Sequence, residues 1–298
     1  MIPSGATIAL NPLQWFTTDD GWLDWTQGPS WPELMRQVKE VGFDAVHTRI
    51  PPEHTAAEYA RIIRDAGLEP APGTFAFALA EDGGPSAEEM VEKFRATARG
   101  YAEIGLQHLF VIPDVNPSAP RVERPAIGAD ADPERLERIR LLLTDIGRAV
   151  TGEGVLPILH PHVGTWVETA AETRYLLDGI DAELMGFGPD VGHLTWAGED
   201  PVALIREYAD RVHGVHVKDL RLDVRDASKT AGLSYRDTIG AGLWIEPGRG
   251  DMDYEGLWDA LGPDFTGTVV IEVDKGDITP AIESAKVSAR WAAAQRGA

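Results

Sequence analysis

Apolar and polar residues alternate along this chain in two rhythms. Short runs of period two, rich in Val, Ile, Leu and Phe, predict strands at TIALNP (7–12), FDAVHTRI (43–50), LEPAPGTFAFA (68–78) and HLFVIPDV (108–115). The same rhythm returns at VLPILHPHV (155–163), LMGFGPDV (184–191), VHGVHVKDL (212–220) and TVVIEVD (268–274), making eight in all. Between them lie stretches with apolar residues three and four apart. Trp31–Val41 opens with Ser30 as N-cap and Pro32 in its first turn, Ser86–Ile104 carries glutamates early, and Asp132–Thr151 begins Asp-Pro-Glu. Strand–helix alternation of this kind implies parallel pairing through crossover helices, and eight units without a break in composition predict a single α/β domain over residues 1–298, a closed (β/α)₈ barrel. An open doubly wound sheet is the runner-up, but no glycine-rich phosphate loop follows the first strand. Two connections exceed plain turns: 116–131 after strand four and 221–251 after strand seven. Both follow the C-terminal end of a strand, where barrels carry their sites.

Charge narrows the partners. With 27 Lys and Arg against 48 Asp and Glu, the formal net charge is −21, which repels phosphate backbones and anionic lipid and leaves a small neutral substrate unaffected. Neither nucleic acid nor membrane is expected as a partner. The absence of cysteine excludes disulfides, thiolate catalysis and zinc–thiolate sites. The opening MIPSGATIAL lacks the basic and apolar regions of a signal peptide, and no apolar run nears the ~20 residues of a membrane span, so a cytoplasmic protein is the expectation. Nine tryptophans are compatible with a homo-oligomer, although no motif fixes one.

The chemistry gathers at the ends of the last four strands. Strand five ends in His160 and His162, strand six in Asp190 followed by His193, strand seven carries His216 and Lys218, and strand eight closes on Glu272 and Asp274. Parity sorts these residues. Gly214, His216 and Lys218 share one face and Val215 and Val217 the other, with His213 on the valine side; Glu272 and Asp274 oppose Val269, Ile271 and Val273. Polar residues toward the lumen and valines toward the helices form a mixed nitrogen and oxygen donor set, suited to Mn²⁺, Co²⁺, Fe²⁺ or Zn²⁺.

NPLQW (11–15), HPHVGTWVET (160–169), DVGHL (190–194), HVKDLR (216–221), PGRGDMDYEGLW (247–258) and the closing VVIEVD resemble, in order and spacing, the xylose isomerase-like barrel superfamily of sugar phosphate isomerases and epimerases, and within it the inosose dehydratases. That resemblance covers essentially the whole chain. It implies one divalent metal ion, Mn²⁺ or Co²⁺ foremost and Mg²⁺, Fe²⁺ or Zn²⁺ as alternatives, held by Asp190, His216, Glu272 and the strand-five position at His160. Pro161 stands where relatives carry histidine or another polar residue, so His160 and His162 both remain open as the fourth ligand, with His160 preferred for its place at the strand end.

Dehydration of a 2-ketocyclitol needs a base for the proton next to the ketone and an acid for the departing hydroxide. His162 and His193 are the base candidates, and Lys218 the acid or an oxygen-orienting group. Asn11 and Trp15 after strand one, and Arg49 at the end of strand two, are expected to contact a small polyol or keto-sugar. The reaction expected is loss of water from 2-keto-myo-inositol or a similar keto-cyclitol; a metal-dependent keto-sugar isomerase or epimerase is the alternative. A phosphodiesterase resembling endonuclease IV is disfavoured by the acidic charge, and a non-catalytic barrel leaves Lys218 and His193 without a purpose.

Overall fold

The computed structural model describes residues 1–296. Eight parallel strands surround a lumen: β1 (Thr7–Asn11), β2 (Ala45–His47), β3 (Glu69–Ala71 and Thr74–Phe77), β4 (His108–Pro113), β5 (Leu156–Leu159), β6 (Gly186–Phe187), β7 (Gly214–Val217) and β8 (Thr268–Glu272). One run of ladders joins the first part of β3 to β2, β1, β8 and β7; another joins its second part to β4, β5 and β6. β3 bridges the two halves although Pro72 interrupts its pairing. Gly73 is required there, because a Cβ would lie 1.9 Å from the Thr48 carbonyl oxygen. The circle closes between β6 and β7 through two isolated bridges, Phe187 with Val212 and Asp190 with His216. β6 is short: Gly188 still donates to Leu159 of β5, but Pro189 after it has no N–H to give a ladder.

Crossover helices flank the strands, among them α1 (Trp31–Glu40), α2 (Ala56–Asp65), α3 (Ala87–Glu103), α4 (Pro133–Thr151), α5 (Ala170–Gly179), α6 (Pro201–Glu207), α7 (Tyr254–Leu261) and α8 (Ala281–Gln295). Their starts are written locally. Ser86 and Thr169 each form a capping box with a glutamate three residues on, while Asp132 caps α4 through the Glu134 N–H. None of the described helices is long and apolar enough to cross a membrane.

The long connections, which exceed plain turns in the sequence, hold structure of their own. The first contains the turn Pro120–Glu123; the second contains helices at Leu222–Ala231 and Tyr235–Gly240, and Trp244–Ile245 pairs antiparallel with Asp219–Leu220. Strand seven therefore ends at Val217, and the residues after it belong to a small ribbon. Buried acids secure these excursions. Arg121 forms a buried ion pair with Glu172, and Glu168 accepts the N–H groups of Ala126, Gly128 and Gly164. Asp219 accepts those of Leu220, Gly248, Gly250 and Met252, clamping the segment after the ribbon.

The lumen is plugged in its lower part. Ala9, Ala45 and Ala71 pack together on one side, and Phe110, Ile158 and Val270 on the other. Alternation along the same strands lifts Asn11, His47, His160, His216 and Glu272 one step above this floor. His213 faces the opposite end of the barrel and stacks on His108, ring centroids 4.8 Å apart.

Candidate active site

The lumen-facing polar residues converge where parity places them. Ligand atoms of His160, Asp190 and His216 all lie within 4.8 Å of one another. Their orientation is set from behind. His160 Nδ1 meets the Gly188 carbonyl at 2.8 Å, a pure acceptor, so this nitrogen carries the proton and Nε2 presents its lone pair to Asp190 Oδ2 at 3.6 Å. Asp190 caps the helix Val191–Trp196 through Oδ1 and the His193 N–H, which leaves Oδ2 facing inward without a hydrogen bond. Both ring nitrogens of His216 also lack a hydrogen-bond partner, although Nδ1 approaches Glu272 Oε2 to 3.1 Å. Glu272 is further held by the Asn11 amide.

One step higher, His162, His193 and Asp274 form a second convergent group. The His162 ring lies 3.5 Å, centroid to centroid, from that of His193. His162 Nδ1 meets the Val163 carbonyl at 2.8 Å, so its Nε2 is likewise bare. His193 Nε2 is 3.4 Å from Asp274 Oδ2.

Lys218 ties the two levels together. Its ammonium lies 3.2 Å from Asp190, 2.6 Å from Glu272 and 2.9 Å from Asp274, with the Trp244 ring centroid 5.4 Å away. Gly192 makes room for it, since a Cβ there would come within 2.6 Å of Lys218 Cβ. Burial opposes the lysine's charge, but the three carboxylates hold its pKa well above the usual value. Burial likewise opposes ionisation of Glu272, yet Lys218 and His216 keep its carboxyl well below the usual range. Asp190 is pushed up by burial, and Asp274 up to about 8 by burial and by Glu272. Desolvation holds His160 and His193 well below their usual pKa and His162 at about 3, all neutral. Three carboxyl groups crowd one ammonium, and a bound cation would favour their ionised forms. With neutral imidazoles, unpartnered inward atoms and no sulfur donor, the set fits a divalent cation bound through nitrogen and oxygen.

Above the cluster opens a cavity of about 520 Å³. His47, His160, His162, His216, Glu272 and Asp274 line its base, while Trp22, Trp25, Arg49, Asp114 and Tyr235 line its mouth. The loop after β1 supplies the two tryptophans and is fastened by contacts to other loops. Thr17 Oγ1 donates to the Asp274 carbonyl at 2.7 Å, Lys275 donates to the Asp19 carbonyl, and Trp22 stacks on Tyr235.

Of the residues singled out by sequence, Asn11, Arg49, His160, His162, His216 and Glu272 border the cavity. Asp190, His193 and Lys218 are buried behind it, so Lys218 holds carboxylates together and is not on the cavity wall as an exposed acid would be. Trp15 is placed elsewhere: its indole N–H donates to Gln37 of α1 at 2.7 Å, and the wall expected of it is made by Trp22 and Trp25. His47 went unassigned, although it shares the parity of Arg49 two residues on. Nothing local marks Trp22, Trp25 or Tyr235, whose role depends on how distant loops meet.

The model of the xylose isomerase-like TIM barrel family matches residues 35–295. Among curated relatives, inosose dehydratase 2 of Bacillus cereus (strain ZK / E33L) is 33% identical over 143 residues, which cover 48% of this chain and 48% of that protein. The chain thus spans about half the length of the curated relatives it matches. Two solved structures share the fold across nearly their full length. The IolI protein with a bound zinc atom superposes with TM-score 0.68 at 14% identity, covering 97% of each chain. The probable 3-DHS dehydratase AsbF of Bacillus anthracis superposes with TM-score 0.66 at 15% identity, covering 96% of this chain and 98% of that one.

Proposed function

The chain belongs to the xylose isomerase-like TIM barrel family, and from that premise we propose that it is a metal-dependent hydro-lyase that removes water from a keto-cyclitol of the 2-keto-myo-inositol type. The observation that carries this reading is the convergence of His160, Asp190 and His216 beneath an open cavity, with Asp190 Oδ2 and the His216 ring nitrogens making no hydrogen bond among the described residues. His160, Asp190, His216 and Glu272 are the proposed ligands, and Mn²⁺ or Co²⁺ the proposed ion. Such an ion supplies Lewis-acid polarisation of a substrate carbonyl oxygen.

The chain's own groups handle the protons. His162 borders the cavity with a bare Nε2, the position of a base that takes the proton next to the ketone. Asp274 borders the same cavity and contacts His193, a pairing suited to delivering a proton to the departing hydroxyl, which leaves as water. Lys218 keeps Asp190, Glu272 and Asp274 in register as a positioning residue. Trp22 and Trp25 shield the reacting carbon from bulk solvent.

The test is to strip the protein with chelator, add 2-keto-myo-inositol in D₂O, and follow mass with and without Mn²⁺ or Co²⁺. Metal-dependent loss of one water is the expected result. Solvent deuterium entering the ring without loss of water assigns a keto-sugar isomerase or epimerase instead. No reaction of either kind overturns the proposed chemistry.

A further inference from the structure

The mouth of the cavity carries a cation without a counter-ion. Arg49 follows His47 by two residues, just past the end of β2, and lines the same cavity. Its guanidinium carbon stands 4.3 Å from the Trp25 ring centroid, and the residue lines the cavity with Trp22 and Asp114. Among the described residues, no carboxylate oxygen comes within the 4.0 Å of an ion pair, Asp114 included. The arginine also donates no hydrogen bond to any of them.

Other arginines of the chain are answered. Arg121 is buried against Glu172, and Arg211 donates to the carbonyls of Leu177, Ile180 and Met185. Among the described residues Arg61, Arg206 and Arg290 lack partners too and are exposed like Arg49, but they sit on α2, α6 and α8 and do not line the cavity, as Arg49 does. Partial desolvation lowers the pKa of Arg49, whereas Arg99, Arg140 and Arg174, each holding a carboxylate, are raised.

We propose that Arg49 is a specificity-determining residue of the substrate site, and that the preferred substrate is a β-hydroxy ketone ring bearing a carboxylate on the side remote from the metal cluster. This rests on the reading of the cavity as a keto-cyclitol site. His47, one step below, stacks edge-on to His216 with centroids 5.5 Å apart, and Arg49 follows two residues on, at most about 6–7 Å of chain beyond the end of β2. A ring anchored by its ketone at His216 therefore turns its far substituent toward the guanidinium. Stacking on Trp25 fixes the guanidinium plane and leaves its edge donors free, the geometry that takes both oxygens of a carboxylate. A phosphate dianion fits less well, since one cation would face Asp114, Glu272 and Asp274 in the same cavity.

Two measurements separate this proposal from the proposed reaction. In the first, kcat/KM for deuterium incorporation is compared between 3-dehydroquinate and 2-keto-myo-inositol in the Mn²⁺-loaded wild type, R49Q and R49K. The wild type is expected to favour the carboxylated ring, and the ratio to fall on the order of 10- to 100-fold in R49Q, chiefly through KM, with partial recovery in R49K. A ratio unmoved by R49Q overturns the proposal. In the second, metal-free protein is titrated calorimetrically with quinate, which cannot react, so the result stands even if neither ketone turns over. Binding by the wild type that is lost in a folded R49Q supports the assignment; equal binding by both, or none by the wild type, overturns it. Displacement of quinate by a lower concentration of inorganic phosphate overturns the carboxylate class in favour of phosphate.

Discussion

His160 and His162 are two positions apart, yet their free nitrogens face different neighbours. Each gives Nδ1 to a backbone carbonyl, so each keeps Nε2 for the lumen. His160 aims it at Asp190 and His162 at the cavity beside His193. His160→Gln is expected to weaken metal binding by more than the roughly 10- to 100-fold lost with an outer partner of a ligand. His162→Gln should leave metal binding nearly intact and lower kcat by about 10²–10⁴. Metal titration and turnover on the same two proteins check the split; loss of metal in both would merge the roles. Parity within a strand made this arrangement readable in advance for His216, Lys218 and Glu272, because period two is local to the sequence. What Lys218 does was not readable, since it depends on three carboxylates from β6 and β8 that only the closed barrel brings to one ammonium.

At the scale of elements, the eight strands and the starts of α3 and α4 follow from rhythm and caps. The stretches with the most pronounced motifs, by contrast, largely serve as scaffold. Glu168 and Thr169 in HPHVGTWVET secure a loop and cap α5, and Asp219 in HVKDLR gathers four N–H groups. Asp219→Asn removes the charge from those bonds, at an expected cost of about 1–3 kcal/mol. The predicted signs are a melting temperature lower by several degrees and faster proteolysis within 246–252; an unchanged cleavage rate there would show that the clamp is dispensable. The wall built by Trp22, Trp25 and Tyr235 had no such signal, for its partners are more than two hundred residues apart and meet only through side-chain stacking.

Across the whole molecule, acid and base act on different groups. Desolvation holds His47 and His162 at about 3 and His108 at about 4, and lowers His160, His193 and His213 as well. The unfolded chain takes up protons that these folded sites refuse, so their contribution is complete above pH 6.5 and is lost as pH falls toward their folded values. Asp274 works in the other direction. Its folded pKa of about 8 against 3.8 gives a contribution present at low pH and lost as pH rises through about 8. The metal-free protein is expected to melt highest near pH 6.5, decline steeply in acid and more gently toward pH 8. Saturating Mn²⁺ should raise the whole curve and flatten its alkaline side, as a thermal-shift series over pH will show. A metal-free curve that keeps rising through pH 8 would contradict the charge balance drawn for the site.

The seam between β6 and β7 has a mechanical consequence. Among the described residues it is the one join in the barrel made by isolated bridges, and one of those bridges sets Asp190 opposite His216. These two residues are also proposed to grip the same ion. An ion between them is a rivet through the weakest joint of the barrel wall, and its removal loosens the architecture as well as the chemistry. Amide hydrogen exchange should record this as faster exchange at His213 and His216, whose N–H groups reach across to Phe187 and Pro189, while the continuous β1–β8 ladder keeps its pace.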